Sequence, residues 1–238
     1  MGLEKITLEL RAKVKDLHFG PPVTHVYRPL EYAWLSHRRY LRRFGGRPRE
    51  ILLLGMNPGP WGMVQTGIPF GDVERVRDWL GIEARVERPL PEHPRRPVEG
   101  FACRRREVSG RRLWGWARDR FGTPERFFTR FFVANYCPLC FLEESGRNRT
   151  PDRLPARERG VLFDVCDEAL RRVTEFLAPS VVVGVGGFAR RRAREALDGL
   201  GVRIGLAPHP SPASPRANQG WSAQMDAALA ALDIRSED

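Results

Sequence analysis

The chain has 238 residues, 42% hydrophobic and 10% aromatic. That length and composition suit a single folded domain spanning residues 1–238, with a core on both faces of a sheet, and exclude a disordered or fibrous protein. Lysine and arginine outnumber aspartate and glutamate by 40 to 29, a formal charge of +11, which favours an anionic partner such as nucleic acid over a merely arginine-rich solvated surface.

In chain order, MGLEKITLELRAKV at the start reads as an amphipathic helix, not a signal segment, and YRPLEYAWLSHRRYLRRFG carries a second helical period. The first strand is EILLLG, 50–55. It runs into GMNPGPWGMVQTGIPFG, 55–71, where three prolines and five glycines fall in seventeen positions. Residues 81–112, rich in Pro and Arg, read as a long surface excursion. A second strand, RFFVANY at 130–136, leads to NYCPLCF and then to a polar, basic excursion over 143–160. The helical RERGVLFDVCDEALRRVTEFLA precedes a third strand, SVVVGVG at 180–186, and the helical GFARRRAREALDGLG precedes a fourth, VRIGLAPH at 202–209. The closing NQGWSAQMDAALAALD is a helix. No run of about 18 apolar residues occurs, so the expectation is a soluble intracellular protein with no membrane partner, cytoplasmic in a bacterium or nuclear in a eukaryote.

Apolar strands alternating with helices predict a parallel sheet with right-handed crossovers. Open parallel sheets bind ligands beyond the carboxyl ends of their strands, and GMNPGPWGM, NYCPLCF and HPSPASPRAN all follow strands. Asn57, Asn135 and His209 are therefore expected to share one pocket. Singly, each has a plainer reading: an Asn after a strand is commonly a turn former, and a His before Pro is commonly a loop or core residue. Their common placement, stiffened by prolines and glycines, favours groups held ready for a substrate.

The segments GMNPGPWGMVQTGIPFGDVERVRDWLGI, NYCPLCF, EESGRNRTP and HPSPASPRANQGW resemble the single-strand-selective monofunctional uracil-DNA glycosylases, within the uracil-DNA glycosylase superfamily, over about residues 25–225. The resemblance implies a three-layer α/β/α sandwich around a four-stranded parallel sheet. It implies hydrolysis of the N-glycosidic bond of uracil and related damaged bases, including 5-hydroxymethyluracil, in single- and double-stranded DNA, as the first step of base excision repair, with no metal or organic cofactor. Phe70 would stack on the flipped base, and Asn135 would read its edge, an amide offering both a donor and an acceptor. Met56, Gly59, Pro60 and Met63 would line the pocket. His209 would donate to O2 of the departing base, and Asn57 would position the attacking water. PSPASPR, with Ser211, Pro212, Ala213, Ser214, Pro215 and Arg216, would form a wedge into the helix; Arg147, Asn148, Arg149 and Arg153 would contact DNA. Ala213 departs from the family pattern, in which Arg follows HPSP, and so bears on flipping from intact duplex; Arg216 stands three residues on.

Cys137 and Cys140 form a CxxC that, with Cys103 and Cys166, raises a cluster or zinc site as an alternative; the isolated spacing of the other two favours small buried apolar residues and no metal. VVVGVGGFA lacks the last glycine of a dinucleotide fingerprint and reads as close strand-to-helix packing. The only lysines, Lys5, Lys13 and Lys15, lie near the amino terminus, so no amine is expected at the site and no lyase step. Two rivals stay open: hypoxanthine or xanthine as the preferred base, and a DNA-lesion or abasic-site binder with weak catalysis. A monomer suits an enzyme that scans DNA.

Overall fold

The computed structural model describes residues 2–46 and 48–234, with the side chain of Arg216 outside the description. Helix α1 (Leu3–Lys15) is followed by β1 (Val23–Tyr27), α2 (Pro29–Tyr32), α3 (Trp34–Phe44), β2 (Ile51–Gly55) and α4 (Met63–Thr66). After a long irregular stretch come α5 (Val108–Phe121), α6 (Pro124–Arg130), β3 (Phe131–Asn135), β4 (Cys140–Glu143) and β5 (Asn148–Arg149). The chain then alternates α7 (Ala156–Leu177), β6 (Val181–Val185), α8 (Gly187–Ala196), β7 (Arg203–Ala207) and α9 (Trp221–Ala230).

Strands β3-β2-β6-β7 form a parallel sheet in that order. Ile51–Leu54 and Val181–Val183 have no exposed surface, as expected of strands covered by helices on both faces. The chain leaves β2 toward β3 and leaves β6 toward β7, so the connections part between β2 and β6. That divergence opens a crevice at the carboxyl ends of the strands. All four expected strands are present within a residue or two of their predicted ends.

A second sheet, antiparallel with the order β1-β4-β5, was not legible in the sequence. Its strands are short, and β5 lies inside the segment read as a polar excursion. Residues 81–112 are also a mixed case: they are irregular at first, but His93, Val98 and Cys103 are buried and 108–112 already belong to α5. Among the described residues no helix is long and apolar enough to cross a membrane.

Helix α5 supports one wall of the site, and its position is set by aromatic packing. Trp116 meets Phe121, Phe127, Phe131 and Trp221 edge-on, at centroid distances of 5.8–6.5 Å, and Phe127 stacks on Phe131 at 5.0 Å. Helix α6 begins cleanly against this cluster, with Thr123 accepting a hydrogen bond from Arg126 N and Pro124 in the first turn.

Two glycines of α5 have opposite surroundings. A Cβ on Gly110 would lie 2.0 Å from the Phe70 carbonyl oxygen and 3.0 Å from Asp72 N, both backbone, whereas a Cβ on Gly115 would meet nothing within 4 Å. Gly110→Ala should destabilise the fold by about 1–3 kcal/mol through overpacking, and Gly115→Ala should stabilise it by about 0.5–1 kcal/mol through helix propensity. Thermal unfolding of the two variants checks this; equal melting temperatures would contradict the described approach of α5 to Phe70.

Candidate active site

The residues after β2 turn sharply back over the sheet. Gly55 sits beside Asn135 in register, and the ladder continues past the strand ends, with Tyr136 N donating to Gly55 O at 3.0 Å and Cys137 N to Met56 O at 2.9 Å. These bonds bring the first loop and NYCPLCF together. A Cβ on Gly55 would fall 2.3 Å from Asn135 Oδ1 and 2.6 Å from the Phe70 ring, so only glycine lets the amide and the ring close over the strand end.

Phe70 is one of the few non-glycine residues with a positive φ, 54°, a conformation that persists only where surrounding contacts impose it. Four hydrogen bonds do so. Asp72 N donates to Phe70 O at 2.8 Å, and the Thr66 hydroxyl donates to Gly71 O at 3.0 Å while accepting from Ile68 N at 3.2 Å. His37 of α3, buried, donates through Nδ1 to Gly67 O at 2.7 Å; desolvation pushes its pKa down to about 4, so the ring is neutral. Asp72 also accepts from Glu107 N at 3.0 Å, tying the loop to the start of α5.

A cavity of about 270 Å³ opens at this point, walled by Met56, Asn57, Gly59, Pro60, Met63, Phe70, Asn135 and His209 together with Gly62, Glu107, Ser109, Asn148, Thr150 and Ser211. Every residue expected to hold the base or act on it is in this wall. The Asn57 amide nitrogen donates to Leu139 O at 3.2 Å, which fixes the side chain and turns its oxygen, an acceptor, to other use. Among the described residues Asn135 Nδ2 has only the Met63 sulfur, at 3.3 Å, a weak acceptor. His209 Nδ1 accepts from Ser211 N at 3.1 Å, so the neutral ring carries its proton on Nε2 as a donor. Burial holds the His209 pKa below the usual histidine range.

The loop after His209 is held by side chains from elsewhere. Arg112 donates to Pro210 O at 2.8 Å and to Asn218 Oδ1 at 2.9 Å, Asn218 donates to Pro212 O at 3.1 Å, and Ser211 Oγ accepts from Ala213 N at 3.2 Å. Pro212, Ala213 and Pro215 are exposed and Ser214 is partly so; the side chain of Arg216 lies outside the described residues. In the other expected DNA segment Arg147 and Arg153 are exposed. Arg149 is partly exposed, pairs with Glu143 at 2.8 Å and donates to Arg153 O at 2.8 Å. Asn148 belongs to the cavity wall and donates to Pro58 O at 3.1 Å.

Glu107, Ser109 and Thr150 were not found from the sequence. The Glu107 carboxylate accepts from Ser109 N at 3.4 Å as the N-cap of α5 and packs where Cβ atoms of Gly59 and Gly62 would be, at 2.6 and 2.9 Å. Burial pushes its pKa above the ordinary carboxylate range, with the nearby Asp72 charge adding to the rise. The available signal was EVSG ahead of an apolar helix, but Glu is not among the favoured caps. All four cysteines are buried and free, and no group of three or more His, Cys, Asp or Glu among the described residues is arranged to hold a metal. No lysine lines the cavity.

A family model described as the uracil DNA glycosylase superfamily matches residues 43–233. The chain is 52% identical over 223 residues to the single-strand selective monofunctional uracil-DNA glycosylase of Rattus norvegicus, covering 92% of this chain and 80% of that protein. It is 50% identical to the protein of that name from Mus musculus, with coverage of 98% and 84%, and 51% identical to that from Bos taurus, with 93% and 82%. The crystal structure of wild-type Pedobacter heparinus SMUG2 has the same fold, with a TM-score of 0.70 at 19% identity over 98% of this chain and 97% of that one. The chain belongs to the uracil-DNA glycosylase superfamily and, within it, to the single-strand-selective monofunctional family.

Proposed function

We propose that this protein is a monofunctional DNA glycosylase that hydrolyses the N-glycosidic bond of uracil, and of related damaged bases such as 5-hydroxymethyluracil, xanthine or hypoxanthine, and leaves an abasic site for base excision repair. The observation that carries this reading is the convergence of an aromatic face, an under-used amide, a neutral imidazole donor and an anchored Asn57 in one small cavity. Its volume, about 270 Å³, falls just below the roughly 300–1,000 Å³ of sites for drug-sized ligands and suits one base. The names of the relatives agree with it.

In this reading the nucleotide leaves the stack and the base slides against Phe70. Asn135 donates to O4 and accepts from N3–H; cytosine presents the reverse pattern and would leave buried polar groups mismatched. Bond breakage puts negative charge on the departing base, and His209 Nε2–H donates to O2 as that charge grows. Neutrality of the ring follows from its burial, and the Ser211 N–H keeps the proton on the far nitrogen. Asn57 holds the attacking water through its side-chain oxygen. An amide is no base near neutral pH, so the water gains orientation without proton transfer, which predicts slow turnover. The cavity wall has no lysine, so no covalent imine forms and the strand stays uncut.

The test is end-labelled DNA carrying one uracil, single-stranded or duplex, resolved with and without alkali. Cleavage that needs alkali is expected; intact strands in every lane would overturn uracil as the substrate, and tight retention of abasic DNA without turnover would favour a lesion binder. Asn57→Ala should lower single-turnover release severely and Asn57→Asp should retain or raise it, a carboxylate being worth roughly 100 to 10,000-fold where it assists the water. His209→Ala should cost roughly 100 to 1,000-fold.

The pH dependence has a defined sign. Because the folded-state pKa of His209 is lowered, the neutral ring persists below the ordinary histidine value of about 6.5. The midpoint of any acid-side fall in the release rate should lie below 6.5, and the His209 contribution to stability, present above the unfolded value, should be lost as pH falls below it. An inflection at 6.5 or above in the rate profile, absent from His209→Asn, would contradict the buried neutral ring.

A further inference from the structure

The loop that carries Asn57 also carries Trp61, partly buried, between Pro60 and Gly62 of the cavity wall. The guanidinium carbons of Arg96 and Arg105 lie 5.2 and 5.1 Å from the centre of that ring, within cation–π range. The two excursions meet here. A Cβ on Gly146 would be 3.2 Å from Arg95 Cβ and 3.4 Å from the Arg96 side chain, which brings Arg147 beside them.

The charges of this rim are unbalanced. Arg104, Arg105 and Arg106 are consecutive and exposed, as are Arg95 and Arg147, and none of them has an ion pair among the described residues. Elsewhere arginines with carboxylates in reach are paired, as Arg111 is with Glu74 at 2.7 Å and Arg130 with Glu50 at 2.7 Å. Two acids near the rim are turned to other partners: Glu92 accepts from Val98 N at 2.7 Å, and the partly buried Glu107 accepts from Ser109 N at 3.4 Å. A surface that gathers guanidinium groups around an aromatic ring, with Arg95, Arg104, Arg105, Arg106 and Arg147 free of ion pairs among the described residues, matches a nucleic-acid backbone.

We propose that this Trp61-centred rim, Arg95, Arg96, Arg104, Arg105, Arg106 and Arg147, is a phosphate track that binds the DNA strand flanking the target nucleotide, separate from the loop after His209. The inference rests on the reading of the cavity as a base-excision site, which supplies the strand. Trp61 holds two of the guanidinium groups in place before DNA arrives, and the rim supplies affinity without reading sequence.

The test uses the full chain with Arg104→Gln, Arg105→Gln and Arg106→Gln combined, against a control with Lys5→Gln, Lys13→Gln and Lys15→Gln on α1, none of which lines the cavity. Binding of a fluorescent 30-nucleotide single strand is measured from 50 to 200 mM KCl, and uracil release from a three-nucleotide substrate is measured in parallel. The arginine variant should bind the long strand more weakly, with a salt slope shallower by about 2, at roughly 0.7 per lost phosphate contact on single strands. Its release from the short substrate, which carries few flanking phosphates, should fall less than its binding of the long strand, and the control slope should barely change. A parental slope in the arginine variant, or an equal loss in the control, would overturn the track. Failure of the parent to release uracil would instead overturn the excision reading, while the salt slopes would still report on the rim.

Discussion

The site depends on the missing side chain at Gly55. There β2 ends, and the Asn135 amide and the Phe70 ring close over the backbone at distances that any Cβ would violate. Because β2 and β3 run parallel with Gly55 opposite Asn135, the two strands deliver their loops to one place without either having to reach. The split of connections between β2 and β6 then leaves the space above those strand ends open. A buried sheet thus fixes the aromatic face and the Asn135 amide, while the loop after β7 contributes the imidazole.

Preorganisation has a local cost that the surrounding structure offsets. Phe70 sits at positive φ, and the hydrogen bonds from Asp72, Thr66 and the neutral His37 around it, with the close backbone of Gly110, leave it few alternatives. The same logic covers His209, whose tautomer is set by one backbone N–H and whose loop is braced by Arg112 from α5. Groups oriented in this way need little reorganisation when charge develops on a leaving base. In the proposed reaction Asn57 provides orientation alone, and the carboxyl in the wall, the partly buried Glu107, has its pKa raised by desolvation. The proposed reaction therefore relies on leaving-group stabilisation more than on activating water.

Much of this was legible in the sequence. ILLL and VVV are contiguous apolar runs because strands covered on both faces have no solvent side, and the Pro- and Gly-stiffened turns after them mark where functional side chains are held. The small antiparallel sheet was hidden because β5 is two residues long within a polar segment. Glu107 and Thr150 reach the cavity only through tertiary packing, which no local pattern encodes. The ion pair of Arg149 with Glu143 was likewise hidden, because it forms only once β4 and β5 pair. The Trp61 rim was equally invisible, since Arg96 and Arg105 come together only through the fold of the excursion.

The most direct measurement is a crystal structure of the protein with a single strand carrying 2′-fluorinated deoxyuridine, whose electron-poor sugar resists loss of the base. The base should lie in the cavity, stacked on Phe70, with Asn135 at its O4 and N3 edge and His209 Nε2 within hydrogen-bond distance of O2. A base left in the strand's own stack, or seated outside the wall formed by Phe70, Asn135 and His209, would contradict the proposed reaction site.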